Sequence, residues 1–383
     1  MEPTPQDGQF MREALALARE GIALTSPNPM VGAVIVDGKG QAVGRGFHTY
    51  DGVKHAEVLA IEEAGDRARG ATLFLNLEPC SHRGRTGPCA DAVIAAGIKR
   101  VFAAMEDPNP LVHGEGFAKL RAAGVEVNVG LLESEAKYVN EAFAKFTRTK
   151  MPLVTLKAGM TLDGKIAPPP GDPLAPAIGT TNWITSEHAR SHVQELRHQM
   201  DAIMVGVGTV IADDPLLTDR TGLPRRRRLL RVVLDSRLRL PLDSRVVKTV
   251  QDEDLIVFCS FAEEKRKAEL ERRGIHVCQV AMAKQAGHPD LAHVLRRLGE
   301  MNILSLLIEG GANVNWVALE NRLVDKVFLY YAPKILGGSH AVPVAGGRGF
   351  RDMAQAAQVK NILLHRFGED FAVEGYLKDP YTE

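Results

Sequence analysis

The 383-residue chain has no excess of charge of either sign: lysine plus arginine and aspartate plus glutamate both total 47. That balance offers no broad attraction for nucleic acid or an anionic membrane. The local run Arg225–Arg228 reads as a solvated loop rather than a binding patch. Long apolar stretches are missing too, since none approaches the ~18 residues that cross a bilayer. The opening MEPTPQDGQF lacks the basic start and apolar core of an export signal. Cysteine is scarce: Cys80, Cys89, Cys259 and Cys278 are the full set. Without an export signal, four cysteines suit reduced thiols in a cytoplasm better than a disulfide framework. No G-x-G-x-x-G occurs, so the commonest dinucleotide fingerprint is absent. These absences suit a cytoplasmic protein without a broad surface for nucleic acid or membrane. Its length suits two domains of roughly 100–200 residues.

In the first half, residues 7–24 read as a helix, broken by Ser26-Pro27-Asn28-Pro29. Strands are expected at Val31–Val36 and Ala42–Phe47, joined by a turn containing Asp37-Gly38-Lys39-Gly40. A helix over His55–Ala64 follows, then a strand at Ala71–Leu75 and a helix over Cys89–Ala96 with Pro88 in its first turn. A strand at Arg100–Ala104, a helix over Gly116–Ala123, a strand at Val125–Val129 and a helix over Ser134–Phe146 complete the half. Alternating strands and helices imply α/β layers.

The chemistry concentrates between His55 and Cys89. His55-Ala56-Glu57, Glu78-Pro79-Cys80 and Cys89 supply one imidazole and two thiols, three of the four ligands of a tetrahedral zinc. Cys89 at a helix N-terminus should have its thiolate favoured. Zinc brings the pKa of water near neutrality, so that it can attack an amidine carbon. Glu57, near the metal but not bound to it, suits the proton transfers to the ring nitrogen and the departing ammonia. The set matches the H-x-E…P-C…C signature of zinc nucleobase deaminases, except that eight residues separate the cysteines instead of two. A purely structural zinc would need a fourth ligand, for which His82 is the best candidate.

The string LEPCSHRGRTGPC resembles the deaminase half of the bifunctional riboflavin-biosynthesis deaminase/reductases, where an extended loop separates the cysteines. Ser26-Pro-Asn28-Pro-Met-Val-Gly32, Gly46-Phe-His48 and Glu106-Asp-Pro-Asn-Pro110 strengthen the resemblance. It implies a cytidine-deaminase-like three-layer domain over residues 1–149 with one zinc. It also implies pyrimidine contacts from Asn28 and His48, and ribosyl-phosphate contacts from the His82–Arg85 loop. A guanidinium such as that of Arg85 pairs bidentately with phosphate.

After the polar segment Thr147–Pro152 the texture restarts. Strands are expected at Leu153–Lys157, Ala202–Val207, Leu230–Leu234, Leu255–Cys259, Ile275–Val280 and Ile303–Ile308. Helices at 187–199, 262–273 and 288–299 separate several of them, which implies a largely parallel sheet. Ser186 is the expected N-cap of the first helix. Gly208-Thr209 follows the strand Ala202–Val207, Ala212–Pro215 reads as loop, and Pro168–Pro176 as a surface loop. Ile303–Ile308 runs through Glu309-Gly310-Gly311 into a helix ending near Glu320, a shape that cradles phosphate on backbone N–H groups. Lys326–Tyr331 is apolar and strand-like, and suits an interface in a homodimer or higher oligomer.

LKAGMTLDGKIA, WITS, VGVGTVIADDPLLT, VVLDS and IEGGANV resemble the reductase half of the same family. The resemblance implies a dihydrofolate-reductase-like α/β domain over 150–383 that uses NADPH. It implies cofactor contacts at Gly159, Trp183, Thr209, Asp213, Ser236, Gly311, Ala312, Asn313, Val314, Asn315, Trp316 and Val317. Substrate contacts are implied at Thr181, Arg197, Leu217, Arg220 and Glu309. The expected chemistry is deamination of a phosphorylated diaminopyrimidine followed by NADPH reduction of its ribosyl group. The competing reading is a nucleoside or tRNA deaminase with an appended cofactor-binding regulatory module. It would carry the short cysteine gap and preferably a basic surface.

Overall fold

The computed structural model describes residues 3–110, 112–169, 183–283 and 287–382. They form two compact units, one of Met1–Lys150 with Pro224–Arg227 and the other of Met151–Leu223 with Arg228–Glu383.

The first unit carries α1 (Pro5–Arg19), β1 (Gly32–Val36), β2 (Ala42–Phe47), α2 (Ala56–Ala64), β3 (Thr72–Leu75), α3 (Cys89–Ala95), β4 (Arg100–Ala103), α4 (Glu115–Ala122), β5 (Glu126–Val129), α5 (Glu133–Val139) and α6 (Glu141–Thr149). Its five strands lie in the order β2-β1-β3-β4-β5. β1 is antiparallel to β2 and β3, whereas β3, β4 and β5 run parallel. Every residue of β1 and β3 is buried, as in a strand covered on both faces.

α1 starts earlier than the sequence suggests because Thr4 and Asp7 form a reciprocal capping box, and it stops at Arg19 instead of residue 24. The helix expected over Ser134–Phe146 is two helices. Asn140 interrupts it, and its side chain accepts from Met30 N and donates to Met30 O at 2.8 and 2.9 Å. The break turns a helical residue into a brace for the loop before β1. α2 lies against β2 at very short range: a Cβ on Gly46 would sit 2.3 Å from Ala56 O, and one on Gly44 2.1 Å from Ala60 O. Only glycine permits that approach, which sets the depth of the helix that begins with His55 and Glu57.

The second unit carries β6 (Leu153–Thr161), β7 (Lys165–Ala167), α7 (Glu187–Gln199), β8 (Ala202–Gly206), α8 (Val207–Asp213), β9 (Leu230–Leu234), α9 (Arg245–Lys248), β10 (Leu255–Cys259), α10 (Glu264–Glu271), β11 (His276–Gln279), α11 (Leu291–Glu300), β12 (Ser305–Ile308), α12 (Ala312–Glu320), β13 (Lys326–Ala332), β14 (Val342–Pro343), β15 (Lys360–Phe367) and β16 (Asp370–Tyr376). Nine strands form one sheet in the order β11-β10-β9-β8-β12-β6-β13-β16-β15. Pairing is parallel from β11 to β13 and antiparallel through β16 and β15. Side chains alternate across it: Ile203 and Val205 join a core with Val193 and Leu196 of α7, while Ala202 and Met204 join one with Val294 and Leu298 of α11. Helices therefore cover both faces.

Ala212 and Asp213, expected in a loop, instead end helix α8, which also takes in Gly208-Thr209. Lys326–Tyr331 is not available as an interface, because β13 is mostly buried and pairs with β6 on one side and β16 on the other. The exposed apolar edge is β15, where Ile362, Leu363 and Leu364 are more than half exposed.

Candidate active sites

In the first unit the expected metal ligands come together. His55 is the N-cap of α2, Cys80 follows β3, and Cys89 opens α3. His55 Nδ1 lies 3.1 Å from Cys89 Sγ and 3.6 Å from Cys80 Sγ, and the three ligand atoms lie within 4.8 Å of one another. Tetrahedral zinc with Zn–S near 2.3 Å and Zn–N near 2.05 Å places sulfur and nitrogen roughly 3.5 Å apart, so the donor set fits. His82 is not part of this cluster among the described residues; it is exposed and lines the adjacent cleft. Three side chains among the described residues could therefore hold a metal here, one fewer than a closed tetrahedral site uses.

Charge is divided unequally between the thiols. A hydrogen bond from the Cys89 thiol, aided by His55, outweighs burial and brings Cys80 down to about 4. Cys89, as the donor of that bond and itself buried, is pushed up. The backbone N–H of Cys89 also donates to Cys80 Sγ at 3.3 Å. The start of α3 thus supplies a backbone donor to Cys80 while holding Cys89 at its first position. Hydrogen bonding to Cys80 raises the His55 pKa against the effect of burial.

Glu57 is buried, and desolvation raises its carboxyl pKa. It lines a cleft of about 300 Å³ together with His55, Cys80, Asn28, His48 and Arg85. His48 must donate Nδ1–H to Lys54 O at 3.0 Å, because a carbonyl only accepts. Its Nε2 then accepts from the Asn28 amide at 2.9 Å. Burial lowers the His48 pKa, consistent with that neutral tautomer. Arg85 donates to Tyr50 O at 2.8 Å, and its guanidinium lies 4.0 Å from the Tyr50 ring centre.

Two groups in this cleft escaped the sequence reading. The buried Glu78 carboxylate accepts N–H bonds from Asp107, Gly114, Gly116 and Phe117 at 2.8–3.3 Å, tying the turn before Cys80 to the loop after β4. That loop delivers Asp107, whose carboxyl is pushed up to about 6 by burial despite a bond from Asn109 N–H. Glu78-Pro-Cys80 and Glu106-Asp-Pro-Asn-Pro110 were visible as strings. Nothing in either string shows that one amide cluster joins them.

In the second unit, the expected residues gather where parallel strands end. β9, β8, β12 and β6 are neighbours, so their carboxyl ends share one edge, the usual ligand edge of an open α/β sheet. Ser236 follows β9, Thr209 lies in α8 just past β8, Glu309 follows β12, and Gly159 is near the end of β6. A Cβ on Gly311 would meet Thr209 Oγ1 at 3.3 Å, which places these two side by side. Asp213 is exposed at the end of α8. Trp183 is 55% exposed, with the Arg190 guanidinium 4.6 Å from its ring centre. Leu217 is buried with backbone φ of +56°, and Arg220 is exposed. Thr181 lies outside the described residues, as does most of the Pro168–Pro176 loop.

The stretch Gly311–Val317 divides. Gly311 is the N-cap of α12, and the N–H of Asn315 is already given to Gly311 O. The amides that open the helix are those of Ala312, Asn313 and Val314. The Asn315 side chain is buried and donates to Val344 O, and Trp316 packs edge-on against Phe350 at 5.1 Å. These two side chains, together with Val317 on the core side, hold the helix.

Glu309 is the electrostatic centre. Its Oε1 accepts from Arg197 Nε at 2.7 Å and its Oε2 from Arg197 Nη2 at 3.0 Å; Lys157 Nζ is 3.4 Å from Oε2. Burial alone would raise its pKa, but Arg197 and Lys157 prevail and hold it at about 2. Arg197 also donates to Thr218 O, so its fork is closed on protein groups rather than open to a phosphate. Lys157 was missed by sequence reading. Strand alternation places it on the face of Gly159, two residues on, which was the available signal.

Comparisons with known proteins agree with both halves. The family described as "RibD C-terminal domain" matches residues 152–373, and "Cytidine and deoxycytidylate deaminase zinc-binding region" matches 4–105. The chain is 42% identical over 377 residues to riboflavin biosynthesis protein RibD of Actinobacillus pleuropneumoniae, covering 98% of this chain and 97% of that protein. It is 40% identical over 376 residues to the RibD of Escherichia coli K12, covering 95% and 98%. Among solved structures, Acinetobacter baumannii RibD, form 1, has a TM-score of 0.82 at 36% identity over 97% of this chain and 98% of that one. A Thermotoga maritima diaminohydroxyphosphoribosylaminopyrimidine deaminase/5-amino-6-(5-phosphoribosylamino)uracil reductase has a TM-score of 0.80 at 36% identity over the same shares.

Proposed function

This chain belongs to the RibD family, the bifunctional deaminase/reductases of riboflavin biosynthesis, and from that premise we propose which of its residues carry each activity. The observation that carries the deaminase assignment is the convergence of His55, Cys80 and Cys89 beside the buried Glu57 in one cleft. Zinc held by these three ligands would supply a water activated for attack on the amino-bearing carbon of the pyrimidine. Glu57 would pass on both protons of that water in turn, one to the ring nitrogen and one to the departing amine. Its raised pKa suits a group that must both accept and release. Asn28 and His48 orient the pyrimidine, while His82 and Arg85 face its ribosyl phosphate. The substrate is 2,5-diamino-6-ribosylamino-4(3H)-pyrimidinone 5′-phosphate.

The second unit reduces the deaminated product, 5-amino-6-(5-phosphoribosylamino)uracil, to its ribityl form with NADPH as hydride source. The amides of Ala312, Asn313 and Val314 receive a cofactor phosphate. Gly159, Trp183, Thr209, Asp213 and Ser236 complete that face. Glu309 addresses the ribose hydroxyls, Arg197 fixes Glu309, and Lys157 is the donor of the proton that accompanies the hydride. Arg220 and Leu217 border the substrate, with Arg220 meeting its phosphate. The domain boundary falls at residues 149–150. The protein acts in the cytoplasm as a homo-oligomer joined through the apolar edge of β15, and a Leu364→Glu variant that sediments like the wild type removes that interface. No helix among the described residues is long and apolar enough to cross a membrane.

The experiment follows ammonia release and NADPH absorbance together on the diaminopyrimidine phosphate. Chelation stops ammonia release and leaves NADPH oxidation intact when the pre-deaminated uracil is supplied. Loss of both activities on chelation is incompatible with two separable sites.

A further inference from the structure

Pro224–Arg227 belongs to the deaminase unit although it lies far along the chain from the rest of that unit. It holds three of the four arginines of a basic run that reads, in sequence, as a solvated loop. Arg225, Arg226 and Arg227 are instead half-buried. Arg226 N–H donates to Ala23 O at 3.0 Å, and Arg226 Nη1 donates to Ser26 O at 2.8 Å. Its Nε is 3.3 Å from Asp51 Oδ1, and its guanidinium carbon is 3.6 Å from the Tyr50 ring centre. Arg227 Nη2 donates to Ser26 Oγ at 2.9 Å.

Each of these contacts leads to the cleft. Ser26 is two residues from Asn28, whose amide is bonded to His48. Tyr50 carries Arg226 and also Arg85, which lies over its ring and bonds its carbonyl. A planar guanidinium can stack on a ring and bridge two acceptors in its plane at once, which an ammonium cannot. The segment thus holds two substrate-facing side chains, Asn28 and Arg85, without lining the cleft itself.

We propose that Arg226 and Arg227 are positioning residues of the deaminase, fixing Asn28 through Ser26 and Arg85 through Tyr50. The inference rests on the assignment of this cleft to a phosphorylated pyrimidine. In the full-length protein, Arg226→Ala raises the deaminase KM about tenfold with kcat within about twofold, because it disturbs substrate grip and leaves Glu57 in place. Arg226→Lys keeps the charge but loses the stacked fork, and recovers less than half of the lost affinity. Tyr50→Leu reproduces the KM increase by removing the ring between the two arginines. Reductase turnover on the pre-deaminated substrate and bound zinc stay at wild-type levels in all three. An unchanged KM in Arg226→Ala overturns the proposal. So does a fall in kcat that tracks loss of zinc or of reductase turnover, since that marks general destabilisation. If the wild type itself releases no ammonia, the cleft assignment has failed instead.

Discussion

The two sites of this protein are built in opposite ways. The expected deaminase ligands fall within His55–Cys89, two at the starts of helices and Cys80 in the loop after β3, and their identities alone define their chemistry. The proposed reductase site is spread from Lys157 to Val314, over the ends of four neighbouring strands and the start of α12, and much of it is backbone. A metal requires particular side chains at short range, and those leave marks in a sequence. A cofactor phosphate requires exposed amides and room, which almost any residues around a glycine can supply. The first site is therefore vulnerable to the loss of one functional group and the second to distortion of a frame.

The largest expected effect tests the first half of that contrast. Glu57→Gln keeps size and leaves all three zinc ligands in place, yet removes the carboxylate that moves protons. Deaminase kcat should fall by about 10³-fold. Zinc content and reductase turnover should not change. Retained deamination with zinc bound would show that the proton path runs through another group, with Asp107 the first to examine.

How much could be read beforehand follows the same division. The convergence of His55, Cys80 and Cys89, the alternation of strands and helices and the Gly-Gly entry into α12 were legible because each depends on local residue type. Asn140 was not, since a mid-helix asparagine gives no sign that it will brace Met30 across the fold. Glu78, with its four amide partners, depends on a loop that begins near residue 107 and becomes a neighbour only on folding. Arg226 shows the cost of reading composition alone: a run of arginines looks solvated unless the acceptors it meets are known. Helix α8 is hidden in the sequence because Gly208 and Asp213-Asp214-Pro215 are strong turn signals on either side of a short span.

The next effect bears on the reductase frame. Glu309→Gln leaves Arg197 and Lys157 buried without their carboxylate. Removal of one partner from such a cluster costs on the order of 3–5 kcal/mol. Reductase turnover should drop by about 10²-fold as Arg197 and Lys157 lose their anchor, with ammonia release retained. Lys157→Met separates the roles, lowering reductase kcat with a smaller change in stability. Equal loss of both activities in Lys157→Met would mean that the lysine supports the fold rather than the reaction.

The same cluster sets a pH dependence. Glu309 is held at about 2 instead of its ordinary 4.5. A depressed carboxylate contributes stability that is present above 4.5 and lost as pH falls from 4.5 through about 2. A shift of this size corresponds to on the order of 3 kcal/mol at neutral pH. Denaturant midpoints of the wild type should decline across that window, and those of Glu309→Gln should decline less. Parallel decline in both proteins would place the acid sensitivity elsewhere.

The smallest effect sharpens the contrast most, because it adds a single methyl group. Gly311 has φ of −73°, a conformation open to any residue, so alanine there brings no backbone strain. The added Cβ would meet Thr209 Oγ1 at 3.3 Å, a tight contact that a shift of a few tenths of an ångström in the Thr209 side chain relieves. At Gly310, by contrast, a Cβ would fall 2.8 Å from Val314 Cβ and disturb the first turn of α12. Gly311→Ala should therefore fold normally while narrowing the approach to the Ala312–Val314 amides. The expected result is a rise of three- to tenfold in KM for NADPH, about 0.7–1.4 kcal/mol, with reductase kcat and all deaminase constants unchanged. Gly310→Ala should lower thermal stability as well. If Gly311→Ala leaves the NADPH KM untouched, the cofactor phosphate does not rest on this helix, and the frame must hold it by side chains after all.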